Sequence, residues 1–324
     1  MSHELTFTNG NAEMAYYGEK PWHKLGTQVA AAMTAAEAIE AARLGWNVKK
    51  SPVFYERMNG QQGATDRFAV VRTDNDACLG VVGNVYRPLQ NREAFSFFDA
   101  IVGQKLAVYH TAGSILGGRK IWMLAKLPGS CWITPEDNVE KYLLLSNSHD
   151  GTSSVSIAVT PIRVVCQNTL NMALHSDVKT RVKHTMAMGQ GIDSIRKQLG
   201  IADAYFQTFE EVGKALVNKQ ANSAMVERLL SDLGLSLEDS KESSRIENIR
   251  YDIMGKFEHG KGNNMRSVRG SAWALLNGVV EYVDYSRSTK THDGHSVSDS
   301  RTNSILFGSG AAMKQKALDC LVSY

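Results

Sequence analysis

Hydrophobic positions along this chain change period near its middle. Residues 1–30, rich in glycine, aromatic and polar residues, read as an extended arm or loops. Thr34-Ala-Ala-Glu37 is a capping box ahead of an alanine-rich helix to about Arg43, ended by Gly45. Strand signals follow. Trp46 to Arg57, Phe68 to Thr73 and Cys78 to Val82 are β-branched and aromatic, with turns at Asn59-Gly60, Gln62-Gly63 and Asp74 to Asp76. Leu89 to Gly103 switches to helical spacing, with Ala94, Phe97, Phe98, Ile101 and Val102 on one face. A second β series predicts strands at Lys105 to Ser114, Lys120 to Leu127, Tyr142 to Ser146 and Ser154 to Val159, around Gly117-Gly118 and His149-Asp150-Gly151. Ile162 to Cys166 extends the last strand or bends into a helix over Gln167 to His175. From about residue 178 helices dominate: Val182 to Leu199 carries a mixed pattern, and helices follow over Ala202 to Asn218, Ser223 to Leu233, Asp239 to Phe257, Ser271 to Tyr285 and Ile305 to Leu321. Residues 286–303, almost without apolar content, read as an exposed loop, and Lys314 and Lys316 as solvated. The expected class is α+β: a β-rich antiparallel core with packed helices over 1–180, and a mainly helical region over 181–324.

Composition agrees with this division. All six prolines lie between Pro21 and Pro161, so none interrupts the second half. The 324 residues are 43% hydrophobic and 21% charged, which excludes disorder throughout. No apolar run approaches the roughly 20 residues that span a bilayer, and the N-terminus lacks a basic-then-apolar signal, so a cytoplasmic protein without membrane contact is expected. Cys78, Cys131, Cys166 and Cys320 have neither disulfide-scaffold density nor zinc-ligand spacing.

Net charge is only +3, from 36 Lys and Arg against 33 Asp and Glu, which excludes a uniformly basic coat. The positive charge is nevertheless concentrated. Residues 161–200 carry Arg163, Lys179, Arg181, Lys183, Arg196 and Lys197 against two acids, and Lys256, Lys261, Arg266 and Arg269 lie near the single acid Glu258. Such foci suit phosphate contact, and solvated helix faces are the plain structural alternative. Tyr55 beside Arg57 and Tyr86 beside Arg87 offer rings that could stack on bases, though strand residues of this kind are usually half-buried.

Other candidate chemistry is incomplete. Gly255 to Lys261 fits GxxxxGK, but Gly262 stands where Ser or Thr would hold Mg²⁺, and the run follows a helix rather than a strand; it reads as a structural loop. His149-Asp150 with Cys166 contains the parts of a thiol nucleophile and base, against a turn and a buried cysteine as the plainer reading. His292, His295 and nearby Asp293 and Asp299 have ligand types without a helix to fix them. No metal, cofactor or catalytic set is expected.

Four stretches together resemble a known family: Pro21 to Thr27; Ala112-Gly113-Ser114 with Gly117 to Lys120; Ser148 to Gly151 running to Thr160-Pro-Ile-Arg-Val-Val-Cys-Gln-Asn-Thr-Leu170; and Trp273 to Asn277 with Glu281 to Asp284. They are similar to the phage and plasmid proteins that contain domain of unknown function 932. The resemblance implies carriage by phages, prophages and plasmids and brings no established activity. The order of β-meander, helix, further β and helical tail is also compatible with phage single-strand annealing proteins. The resulting expectation is a homo-oligomer that binds single-stranded DNA, and anneals it without ATP, through Arg163, Lys179, Arg181, Lys183, Lys261, Arg266 and Arg269, with Gln167 and Asn168 reaching backbone or base edges. The alternatives are an enzyme built on His149, Asp150 and Cys166, or a protein-interaction factor acting on host defence.

Overall fold

Sheet strands fill the first half of the chain and helices most of the second, an α+β fold. The computed structural model describes residues 5–18, 25–31, 33–102, 107–153, 155–163, 168–169, 179–182, 191–237, 243–288, 304–305 and 308–324. In chain order the elements are β1 (Phe7–Thr8), β2 (Asn11–Ala12), β3 (Met14–Tyr17), β4 (Thr27–Val29), α1 (Ala35–Ala41), β5 (Val48–Glu56), β6 (Gln62–Arg72), β7 (Cys78–Gly83), α2 (Asn91–Val102), β8 (Val108–Ile115), β9 (Lys120–Thr134), β10 (Asp137–Ser148), β11 (Val155–Arg163), β12 (Asn168–Thr169) and β13 (Lys179–Val182). The helices α3 (Gly191–Val217), α4 (Ser223–Asp232), α5 (Ser243–His259), α6 (Ala272–Glu281) and α7 (Ser309–Ser323) follow, with a π-helical turn at Tyr282–Ser286.

The main sheet has the order β12-β11-β10-β9-β8-β3-β4, with β13 also on β11, while β5-β6-β7 forms a separate three-stranded sheet. Alternation in β9 and β10 is apolar on both faces, so both faces are covered. Ile121, Met123, Ala125, Leu143 and Leu145 enter the principal core, whereas Trp122 and Leu144 join Leu5, Met14, Tyr16 and Ile115 in a smaller cluster on the other face. The principal core runs on through Phe206, Phe209, Trp273 and Leu321 of the helical half.

Several expectations change. The arm contributes strands: β3 pairs with β8 and lies parallel to β4. Gln62-Gly63 belongs to β6 rather than to a turn, because Tyr55 pairs with Gly63 and its ring occupies the space a Cβ would need. The β9–β10 hairpin extends to Thr134 and Asp137, beyond the break expected at Leu127. Pro128 and Gly129 do not stop it; Gly129 adopts φ 76° and the pairing shifts register between Glu140 and Tyr142, so a bulge absorbs them. The helix expected from Gln167 is replaced at Asn168–Thr169 by β12, which takes its hydrogen bonds from Ile162 and Arg163. Residues 191–217 form one helix where two were expected, with Gly200 inside it. Lys314 is fully buried, not solvated, because its Nζ lies 3.0 Å from Asp284 Oδ1 in the π-helical turn.

Candidate nucleic-acid interface

The loop between α5 and α6 carries the second basic cluster, and its backbone is tightly held. At Gly260 a Cβ would lie 2.3 Å from the Lys256 carbonyl oxygen, so only glycine permits this exit from α5. Asn263 is buried and donates through Nδ2 to the carbonyls of Lys256 and Ala274, both at 3.0 Å. Val268 is buried, and Ser271 caps α6 by accepting from the Ala274 amide. Ser267 Oγ donates to Thr134 Oγ1 at 3.1 Å and approaches Glu136 Oε2 at 3.2 Å, which ties the loop to the β9–β10 turn. Next to that tie, the Trp273 indole donates to the buried Asp137 carboxylate at 2.9 Å. Between these anchors Lys261, Arg266 and Arg269 are exposed, and none of them has an ion pair with a described residue. An exposed cation without an internal partner keeps its charge available for a phosphate.

Register decides which other predicted residues belong to this place. Arg163 pairs with Val139 on one side and Asn168 on the other, and β12 packs against α6. Arg163 and Asn168 therefore sit at the end of the sheet that carries the loop. Lys179 and Arg181 pair with Ala158 and Ser156, five and seven residues back along β11, about 17 and 24 Å at ~3.4 Å per residue. The structure thus divides the first basic cluster. Gln167, Lys183, Cys166 and the His292–Asp299 group lie outside the described residues.

Sequence reasoning missed Trp132. It is 51% exposed, while its neighbours Cys131 and Ile133 are buried. Period-2 alternation from Cys131 to Ile133 would have shown this exposure, had the strand been carried past Pro128. Trp132 pairs with Asn138 and Thr134, which holds Ser267, pairs with Asp137, so a register shift puts the indole and Thr134 on opposite faces of the sheet. Tyr55 is likewise exposed, at 53%, whereas Tyr86 is half-buried and donates its hydroxyl to the Ser148 carbonyl.

The His149 region is a structural joint. His149 is buried, with Nε2 2.9 Å from Asn91 Oδ1, and Asn91 Nδ2 in turn donates to the carbonyls of Leu44 and Trp46. Asp150 accepts from the Thr152 amide and from the hydroxyls of Ser148 and Thr152. Its backbone lies so close to Gly80 of β7 that a Cβ there would fall 2.7 Å from Asp150 Cα. Beside this joint, Arg72 Nη2 meets Glu13 Oε1 at 2.8 Å in full burial, under the Trp46 ring 4.2 Å from Cζ. These groups fasten the three-stranded sheet to the main one.

One more polar cluster lies on the second face of the main sheet. Lys126 Nζ is 2.5 Å from Glu140 Oε1, Tyr142 donates to Glu140 Oε2 at 2.6 Å, and the His110 ring meets Tyr142 edge-on. Burial depresses the His110 pKa. Burial works upward on Glu140, but hydrogen bonds from Lys126 and Tyr142 outweigh it and hold its pKa below the ordinary value. The GxxxxGK match has no phosphate cradle, because Gly255 to His259 are the last turn of α5.

Among the described residues no group of three His, Cys, Asp or Glu is placed to hold a metal ion, and no helix is long and apolar enough to cross a membrane. No curated protein and no solved structure matches the chain. A family model does, over residues 78–306, from β7 through the basic loop and α6. That span is well over half of the 324 residues, and the chain belongs to the family described as "Domain of unknown function (DUF932)".

Proposed function

We propose that this chain is a DNA-metabolism protein of phages and plasmids that binds single-stranded DNA and, as a homo-oligomer, anneals strands without ATP. The observation that carries the reading is the anchored loop between α5 and α6, with Lys261, Arg266 and Arg269 exposed and without ion pairs among the described residues. Burying the loop's Asn263 and Val268 while leaving its cations in water fits a rigid phosphate-binding ridge better than a solvated face, which has no need of such anchoring. The reading adds Arg163 and Asn168, which pair in register at the sheet end, where β12 packs against α6. Oligomerisation would sum a modest charge per subunit along the strand.

The test is a titration of the full chain with a fluorescent single-stranded oligonucleotide over a salt series. Affinity should fall steeply with salt. The triple variant Lys261→Glu, Arg266→Glu, Arg269→Glu should lose affinity and about two units of the log–log salt slope, at ~0.7 per phosphate contact on a single strand. Absence of binding at low salt, or a slope unaltered in the variant, refutes the reading. Light scattering with DNA present tests the assembly, and a persistent monomer removes the annealing part.

A further inference from the structure

We infer that the outer half of β5 is a self-association edge, across which two copies of this chain join their three-stranded sheets antiparallel about Phe54. The inference rests on the homo-oligomer part of the proposed function and names its surface. β5 is an edge strand of the sheet β5-β6-β7. Alternate residues of a strand turn their amides and carbonyls to opposite sides. The Val53 carbonyl accepts from the Thr65 hydroxyl at 2.6 Å and the Arg57 amide donates to the Gln61 carbonyl at 2.7 Å, so the odd-numbered residues face β6. The Val48 amide instead donates to Gln90 Oε1 at 2.9 Å, and its carbonyl accepts from Gln90 Nε2 at 3.0 Å, so the even-numbered residues face outward. Lys50, Pro52, Phe54 and Glu56 therefore line the free edge. Protection of that edge stops halfway. An open sheet edge invites pairing with another chain, and folds blunt it with cover, charge or proline. Here the Gln90 amide covers Val48, and Pro52 offers no donor. Beyond Pro52 the strand turns exposed and apolar: Phe54 and Tyr55 are each 53% exposed, and Met58 at the hairpin tip is wholly in water.

The chemistry of the hairpin selects a second copy as the occupant. Glu56 and Asp66 offset Arg57 and Arg67, so the hairpin has no net pull on phosphate or on a strongly charged partner. A two-fold contact needs a patch that complements itself. Antiparallel pairing about Phe54 supplies one. The two Phe54 residues exchange amide and carbonyl, and each Glu56 amide meets the Pro52 carbonyl of the second copy, where proline serves as acceptor alone. Phe54 stands opposite Phe54, and on the other face Tyr55 stands opposite Val53, both favoured cross-strand pairs. Arg57 falls opposite Ser51 and Glu56 opposite Pro52, so no like charges meet. Tyr55 is preset for the contact, because its ring already lies over Gly63 of its own hairpin. An edge this short lies at the small end of specific interfaces, and association in roughly the micromolar range is expected.

The experiment is analytical ultracentrifugation of the full chain, without nucleic acid, over about 1–300 µM. The wild type should pass from monomer to dimer. Phe54→Lys, a change at an exposed position, should weaken the dimer by roughly 10- to 100-fold, the loss of a central aromatic anchor. Glu56→Pro removes an outward amide and no hydrogen bond to β6, and it should weaken the dimer with an unchanged melting temperature. In a Cys78→Ser background, which clears an exposed thiol, a bis-maleimide spanning about 8 Å should couple Phe54→Cys into a covalent dimer, because opposed residues lie about 5.5 Å apart. It should not couple Ala64→Cys, because the two β6 strands would lie about 14 Å apart at ~4.8 Å per strand. A dimer indifferent to Phe54→Lys, or coupled equally through Ala64→Cys, overturns the edge contact and leaves the homo-oligomer standing. A chain that is monomeric alone and assembles only on DNA also overturns the edge contact. A chain monomeric in both states removes the homo-oligomer as well, while the oligonucleotide titration still decides nucleic-acid binding.

Discussion

Replacing Glu13 by Gln should destabilise the fold by about 3–5 kcal/mol, the usual consequence of breaking one side of a buried ion pair. The carboxylate sits at the meeting point of three parts of the molecule. It accepts from Arg72 of β6, from the Trp46 indole at 3.3 Å, from the Ser114 hydroxyl of β8 and from Thr8 at 2.6 Å. Both charged side chains are essentially without solvent. Glutamine keeps the shape but removes the charge, and its amide brings a donor against Arg72 and the Trp46 indole, which can only donate; the group left unsatisfied accounts for about 1–3 kcal/mol of the loss. Asp74 limits the damage: it takes Arg72 Nε at 2.9 Å and Nη2 at 2.7 Å, so the guanidinium retains one partner. Burial works against the Arg72 charge, but the hydrogen bonds to Asp74 and Glu13 outweigh it and raise the pKa, so the group stays ionised in both proteins. Urea unfolding followed by far-UV circular dichroism measures the effect. With a slope near 3 kcal/mol/M, the midpoint should drop by about 1 to 1.7 M. The double variant Glu13→Gln, Arg72→Met should be better than the sum of the single losses by about 1–3 kcal/mol, because the second change removes the stranded charge. A Glu13→Gln midpoint within about 0.2 M of the wild type, or strict additivity, would refute the account of a joint held by a fully satisfied buried pair.

Gly80→Ala should cost about 1–3 kcal/mol, since its Cβ would meet Asp150 backbone rather than a movable side chain; an unchanged melting temperature would show that the His149-Asp150-Gly151 turn does not press on β7. Acidification should weaken the fold in two stages. The depressed pKa of His110 means that its contribution is whole above about 6.5 and declines as pH falls from there toward the folded value, because the unfolded chain takes up the proton first. Glu140, depressed by Lys126 and Tyr142, holds its contribution above its ordinary value of about 4.5 and loses it as pH falls through the folded one. Stability curves of His110→Gln should be flatter in the upper window alone, and equal slopes in both proteins would dismiss the first stage. Thr34→Ala should cost about 1 kcal/mol, because Thr34 Oγ1 accepts the Glu37 amide at 3.3 Å while Glu37 Oε2 takes the Thr34 amide at 2.7 Å; hydrogen exchange in α1 should rise, and unaltered exchange would contradict the cap.

Much of the fold could be read locally. The capping box at Thr34 and the Asp-Gly turn after β10 need only a few neighbouring residues, and the apolar stretches of β9 and β10 read as strands on their own. What failed was non-local. The strands of residues 7–29 need partners such as β8, about a hundred residues away, and no pattern within the arm announces them. The π-helical turn and Lys314 failed together, since a lysine 30 residues past an aspartate reads as solvated until folding puts both in the same dry place.

The candidate interface shows the same division more sharply. A charge count of +3 could not separate cations consumed by the fold from cations left over. Arg72, Lys126, Arg250, Lys256 and Lys314 all answer to internal carboxylates, whereas Lys261, Arg266 and Arg269 pair with none among the described residues. Clustering in sequence keeps the loop's cations together, because loop residues are near in space whenever they are near in sequence. It could not show that Arg163 lies at one end of β11 while Lys179 and Arg181 pair further along it. That division follows from strand register, and a strand that doubles back moves about 3.4 Å per residue away from its own beginning. Nor could it show the tie between the loop and the β9–β10 turn, a hydrogen bond between Ser267 and Thr134 across 133 residues. The informative quantity for binding is therefore unpaired charge at a fixed end of the sheet, and the sequence reports only its sum.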